Sequence, residues 1–213
     1  MNLITFVMLI TLSILSCEMS SQDKFSQLLP SPADNSENSQ KMATKTQFEP
    51  VAVVELFTSQ GCSSCPPADH LLGKIAAEAA EQNQRIYALS FHVDYWNYLG
   101  WRDPYSDAAF SDRQRRYASA FHSSRIYTPQ MIVNGKDEFV GSNRREAKTT
   151  IQNALKISTK AEIKLTKEKP DSENDIRLSY SLSGETQNAV LRFALVEKNV
   201  KTDVSRGENG GRS

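Results

Sequence analysis

Cys62-Ser63-Ser64-Cys65 is the one short run in this 213-residue chain where residue type and spacing meet for redox chemistry. A thiolate at the start of a helix faces the positive end of the dipole and free backbone N–H groups. Such surroundings bring cysteine pKa values down to about 3.5–7.5. Cys62 is therefore read as the attacking thiol, and Cys65 as the thiol that resolves the mixed disulfide. A disulfide closing so short a loop removes little chain entropy and would be a poor staple. That favours redox or metal work over a purely structural disulfide, although an inert disulfide stays open.

Other residues could serve the pair. Glu55 interrupts an apolar run seven residues before Cys62. If buried beneath the cysteines, it could take the Cys65 proton, because burial raises a carboxyl pKa towards neutrality; if not, it is a strand residue facing water. Thr128-Pro129 stands just before a short apolar run, the place for a proline that begins a strand. His92 and Asp94 point to one side of an extended chain. They are read as an acid and base behind the cysteines, as part of a metal site with the thiols, or as a loop-fixing pair. Trp96, Trp101 and Tyr127 are read as substrate-binding. They belong to residues 91–127, which hold more than half of the aromatic side chains. Arg102, Asp103 and the run Arg113, Arg115 and Arg116 are read as solvated ion pairs, of little individual worth.

These groups must be positioned by β and α elements. Val51–Phe57 is β-branched and apolar, the mark of a buried strand. Pro66-Pro67 suits a first helical turn, where an N–H has no partner. Leu71, Leu72, Ile75, Ala76 and Ala79 then recur at helical spacing. Ile86–Val93 reads as a second buried strand, and Phe110–Phe121 as one side of a further helix. Asn134-Gly135 marks a hairpin turn between Gln130–Val133 and Glu138–Val140. Asn143 with Glu146 reads as a capping box opening a last helix. The expected fold class is α/β: a thioredoxin-like mixed sheet flanked by helices. Ala161–Lys167, Asp175–Ser181 and Ala189–Val196 add a small C-terminal antiparallel β appendage.

The termini differ. Leu3–Leu15 is almost wholly apolar and has the length of a signal-peptide core, roughly 7–15 residues. It ends in Leu15-Ser16-Cys17, which resembles a lipoprotein processing site with Cys17 as the lipidated residue; an ordinary signal peptide or a core helix are the other readings. Residues 18–49 are rich in Ser, Gln, Asn and Asp and cannot bury enough apolar surface to order. The expected domains are a signal segment at 1–16, a flexible tether at 17–49, a thioredoxin-like domain at 50–158 and the appendage at 159–213. The tail 201–213 is expected to be poorly ordered, in an appendage shortened at its C-terminus. The chain carries 25 basic and 25 acidic residues. A net charge of zero gives no electrostatic case for nucleic acid.

Glu55-Leu56-Phe57-Thr58-Ser59-Gln60-Gly61-Cys62-Ser63-Ser64-Cys65-Pro66-Pro67 resembles the corresponding stretch of a family of uncharacterised secreted bacterial proteins, a domain of unknown function with a thioredoxin-like fold. Phe91-His92-Val93-Asp94-Tyr95-Trp96, Leu99-Gly100-Trp101, Tyr127-Thr128-Pro129-Gln130-Met131 and Gly207-Glu208-Asn209 carry the resemblance across about residues 50–212. It implies a cis-proline at Pro129 facing the cysteines, with Thr128 offering backbone groups to substrate. The resemblance supplies architecture and no substrate. The function expected is thiol–disulfide oxidoreduction outside the cytoplasm, in a periplasmic or cell-envelope lipoprotein acting on cysteines of exported proteins or on a redox partner. No cofactor is expected beyond the Cys62–Cys65 disulfide. The alternatives are a copper-binding or delivery module, since soft thiolates suit Cu(I), and a partner-binding scaffold with a structural disulfide.

Overall fold

The computed structural model describes residues 4–12, 47–169, 172, 175–187, 189–198 and 200–212. Cys17 and nearly all of the proposed tether lie outside the described residues. The strands are β1 (Ile4–Leu12), β2 (Ala52–Thr58), β3 (Ile86–His92), β4 (Gln130–Val133), β5 (Asp137–Val140), β6 (Ala161–Glu168), β7 (Arg177–Gly184) and β8 (Ala189–Glu197). The α-helices are α1 (Pro66–Glu81), α2 (Ala108–Ala120) and α3 (Arg144–Ala154).

β2 is apolar along almost its whole length and is buried on both faces. It therefore takes the centre of a four-stranded sheet in the order β3-β2-β4-β5. β3 runs parallel to it, while β4 is antiparallel to both β2 and β5. The parallel pair needs a crossover, which α1 supplies. Alternate β2 residues serve opposite layers. Ala52, Val54 and Leu56 pack with Ala68, Leu71 and Leu72 of α1 and with Ala147 and Ile151 of α3. Phe57 packs on the other face with Val93, Ile132 and the rings of Trp96 and Tyr117. This mixed sheet flanked by helices is consistent with the fold class expected from the sequence.

Local signals act where they were read. Asn134 and Gly135 have φ of 51° and 66°, the two positive angles a tight hairpin turn requires. The Asn134 side chain also accepts from Val53 N–H at 2.7 Å and donates to the Val51 carbonyl, pinning the turn to β2. Asn143 caps α3 by accepting from Glu146 N–H, and Glu146 returns a side-chain bond. Gly141 marks a crowded crossing. A Cβ there would stand 2.7 Å from Leu56 Cδ1, 3.1 Å from Pro129 Cβ and 3.2 Å from Ala68 Cβ. Its bareness lets the start of α1 close on the Pro129 loop.

The C-terminal region differs from expectation in two ways. β6 and β7 form their own antiparallel pair, but β8 pairs with β1 instead of joining them. β1 is the stretch read from sequence as a signal core; its Ile, Thr, Phe and Val residues are also strand formers. The tail is not poorly ordered. Val204 and Arg212 bridge, and Val204 and Asn209 are buried. The tail lacks a strand pattern, so its order had no periodic signal. Side-chain hydrogen bonds hold it against the main domain.

Glu55 is buried as one reading had it, but it does not lie beneath the cysteines. It belongs to the β2 face opposite α1, where Arg113 of α2 grips it from Nε at 2.6 Å and Nη2 at 2.9 Å. Tyr117 Oη donates to the same carboxylate at 2.6 Å. Its carboxylate is held in a buried ion pair with Arg113. Removing one member of a buried pair strands the other charge. Arg113→Ala should cost about 3–5 kcal/mol of stability. Replacing both partners by apolar residues, Glu55→Leu with Arg113→Met, should cost less than the single change. Urea unfolding of the three variants tests this; a double variant less stable than Arg113→Ala would contradict it.

Candidate functional site

The site grows from the C-terminal end of β2. Thr58 closes the strand, and Ser59 starts a turn in which Cys62 N–H donates to the Ser59 carbonyl at 3.1 Å. Gly61 N–H is held by Ser59 Oγ. Cys65 N–H returns to the Cys62 carbonyl, and Cys65 is the N-cap of α1, with prolines in the first two helical positions. Cys62 and Cys65 are disulfide-bonded, with Cα atoms 5.4 Å apart. The pair thus stands at the strand-to-helix junction expected of it.

Residues 127–129 lead into β4, the antiparallel neighbour of β2. The Thr128–Pro129 peptide bond is cis. Trp96 donates from Nε1 to Thr128 Oγ1 at 2.8 Å, and its Cβ lies 3.2 Å from where a Gly61 Cβ would be. Trp96 therefore spans from the cysteine turn to the residue before the cis-proline. Gln114 of α2, fully buried, donates to the Tyr127 carbonyl and the Gln130 side chain, and accepts from Tyr95 Oη. Burial pushes the Tyr95 phenol up to about 12, against the Gln114 hydrogen bond, which lowers it. Tyr127 itself turns its hydroxyl to Glu138 at 2.8 Å.

His92 and Asp94 do not form one acid–base unit. His92 Nδ1 bonds Asp103 Oδ2 at 2.6 Å, while Asp94 receives the Ser111 hydroxyl. Asp94 N–H in turn donates to Ser111 Oγ, so this carboxylate ties the loop after β3 to α2. Asp103 is not a solvated surface group but is 1% exposed. It also accepts from the backbone N–H of Gln60 and Tyr105. Burial alone would raise its pKa, but the His92 bond and these backbone donors outweigh burial and hold the carboxyl below its ordinary value. Asp103 is thus the residue that ties the cysteine turn to the end of β3, and no spacing in the sequence marks it.

Asp69 is a second residue the sequence reading passed over. It sits one helical turn after Cys65, and its N–H donates to the Cys65 carbonyl at 3.1 Å. Loss of hydration pushes its carboxyl up, opposed by His92 and reinforced by Asp103. Asp69 as a whole residue is nonetheless exposed, so solvent screens the effect. Thr58 Oγ1, fully buried, has no hydrogen-bond partner among the described residues.

Exposure does not single out Cys62 in the oxidised pair. Both cysteines are 0% exposed, although Ser63 and Ser64 between them face water. The tail bonds directly to this turn. Asn209 Nδ2 donates to the carbonyls of Gln60 and Cys62, each at 2.8 Å. Glu208 Oε2 accepts from Ser63 N–H at 3.1 Å. Trp101 Nε1 donates to Gln60 Oε1 at 3.0 Å, and its Cβ lies 3.1 Å from where a Gly207 Cβ would be. Trp101 is therefore walled in by the tail as well as the cysteine turn. Among the described residues no group of three or more His, Cys, Asp or Glu is placed to hold a metal ion. Among them, too, no helix is long and apolar enough to cross a membrane.

Fold and site together define a mixed α/β protein with a disulfide between strand and helix and a cis-proline just before β4, the strand paired with β2. The chain belongs to the family described as a protein of unknown function, DUF1223, whose pattern matches residues 53–213. No curated protein matches it. A crystal structure of a protein from Agrobacterium tumefaciens is 42% identical, with a TM-score of 0.45, over 51% of this chain and 46% of that one. HBP35 of Porphyromonas gingivalis is 18% identical, with a TM-score of 0.45, over 66% of this chain and 44% of its own. The matches thus span less than half the length of either relative.

The depressed Asp103 pKa makes a signed prediction. A carboxyl whose folded pKa is lowered contributes stability above its unfolded pKa and loses it as pH falls through the folded value. Asp103→Asn should destabilise by about 1.5–3 kcal/mol at neutral pH, the range for hydrogen bonds to a charged group. The deficit should shrink once pH drops below the ordinary 3.8. Urea melts at pH 7 and at pH 3 check it; equal deficits at both would refute the assignment.

Proposed function

We propose that this protein is an extracytoplasmic thiol–disulfide oxidoreductase working through Cys62 and Cys65. The observation that carries the reading is the Cys62–Cys65 disulfide at the β2–α1 junction. The cis Thr128–Pro129 bond, tied to the cysteine turn through Trp96, supports it. In the reduced protein, the Cys62 thiolate attacks one sulfur of a substrate disulfide. A Cys62–substrate disulfide forms and one substrate thiolate leaves. The Cys65 thiolate then attacks Cys62 Sγ, closing the intramolecular disulfide and releasing the second substrate thiolate. The substrate gains two electrons and the pair loses two. The reverse sequence oxidises a substrate dithiol, and the partner's reduction potential sets the direction. Cys62 is assigned the attack because it precedes the helix cap, while Cys65 is the cap itself.

Substrates in this reading are cysteine-containing exported proteins or a dedicated redox partner, with Cys17 as the lipid anchor. Copper binding through the same thiols has no supporting third ligand among the described residues. The scaffold reading does have an observation in its favour, the complete burial of both cysteines. A structural disulfide would resist native reduction and trap nothing.

Trapping separates the two. Cys65→Ser should leave attack intact and accumulate mixed disulfides on Cys62. Cys62→Ser should abolish thiol exchange, a loss of at least about 100-fold, by analogy with removal of other nucleophiles. Non-reducing electrophoresis and mass spectrometry of captured species read both. Recovery of no Cys62-linked partner, with a disulfide that dithiothreitol leaves intact under native conditions, would favour the scaffold.

A further inference from the structure

We propose that residues 202–212 form a lid over the Cys62–Cys65 disulfide, and that a partner reaches Cys62 only by displacing it. The inference rests on the redox reading above for its purpose, but not for its geometry. Three observations carry it.

The first is burial shared between local and remote partners: Cys65 and the Ser64 hydroxyl adjoin the Cys62 sulfur locally, and the tail bonds its main chain from afar. Ser63 and Ser64 are exposed while Cys62, one position earlier, is 0% exposed. The groups bonded to this turn from far along the chain include Asn209 and Glu208, nearly 150 positions away. The second is what those residues occupy. They take the carbonyls of Gln60 and Cys62 and the N–H of Ser63, the main-chain groups flanking the attacking sulfur. A peptide segment delivering its own cysteine to Cys62 would need that space and would meet those groups. The tail therefore stands where a substrate segment would lie.

The third is how the lid is fastened. Its hold is mainly polar: two bonds from one Asn209 amide, one bond to Glu208, and Thr202 to Tyr105 Oη at 3.0 Å. Val204 is the one large apolar side chain it buries. Water can replace polar bonds of this kind at modest net cost. Gly207 and Gly211, at φ of 77° and 83°, bracket Asn209 with backbone that L side chains rarely adopt. Arg212 Nη1 donates to Asn209 Oδ1 at 3.1 Å, which aims the amide's two hydrogens at the turn. A lid so built stays closed at rest and opens without unfolding the sheet.

The experiment uses the full oxidised chain and a phosphine reductant, with reduction followed by alkylation and mass spectrometry. Asn209→Ala should speed reduction of the Cys62–Cys65 disulfide about tenfold, as expected for losing two neutral hydrogen bonds. Asn209→Asp, which keeps the shape but not the donors, should do the same. Arg113→Ala serves as control, because it loosens the core without touching the lid; its rate should stay within about twofold of wild type. Asn209 variants that reduce no faster than wild type would overturn the lid. So would an Arg113→Ala chain that accelerates as much as they do, since exposure would then come from general unfolding. The phosphine needs no redox activity from the protein. A failure of Cys65→Ser to trap partners would remove the oxidoreductase reading while leaving this result standing.

Discussion

Burial of β2 on both faces is the constraint on which the rest of the structure depends. Its even-numbered residues serve the α1–α3 layer and its odd-numbered ones the α2 layer. Such a strand must have a partner at each edge, because its backbone groups have no water to turn to. β3 and β4 fill those edges. Glu55, the one charged side chain in this strand, is retained only because Arg113 and Tyr117 reach it across the α2 layer. The strand's end therefore emerges at a defined height and direction, and the cysteine turn starts there.

From that point the site is assembled by polar ties instead of apolar packing. Asp103 links Gln60 to His92, Trp96 links the turn to Thr128, and Gln114 fixes Tyr127 and Gln130 from below. The loop segments have no regular hydrogen-bonding partners of their own, so side chains must supply them. This explains why the aromatic-rich stretch 91–127 carries so many buried or half-buried polar groups, among them Asp103, Ser111, Gln114 and the indoles of Trp96 and Trp101. Phe91, Phe110 and Tyr117 provide its apolar contacts, with edge-to-face rings at Phe91–Phe110 and Phe57–Tyr117. Its Trp and Asp side chains, expected to meet substrate or water, are largely used in holding the loops.

The tail extends the same chemistry to the top of the site. An Asn amide with two donors can bond two carbonyls at once, those of Gln60 and Cys62, the second of which also accepts from Cys65 N–H within the turn. It does so without adding a strand or a helix. A disulfide at a helix start gains access or protection according to whether this one amide is in place, a far smaller change than any rearrangement of the sheet.

Features settled within a few residues were legible in the sequence. Asn134-Gly135 makes its turn because both positions need positive φ, and Pro66-Pro67 opens α1 because the first helical N–H groups have no partner. The four-stranded sheet followed from apolar runs and their order, and the cysteine pair from its place between strand and helix. What only the tertiary structure decided is which distant groups meet. Glu55 faces α2 and not α1 because of strand phase relative to the helices, and a single acidic letter does not carry that. His92 takes Asp103 rather than Asp94, β8 takes β1 rather than β7, and Asn209 takes Gln60 and Cys62. Side-chain bonds between remote segments have no period and no fixed spacing. Their free energy depends on distance and burial, which exist only once the sheet has brought those segments together.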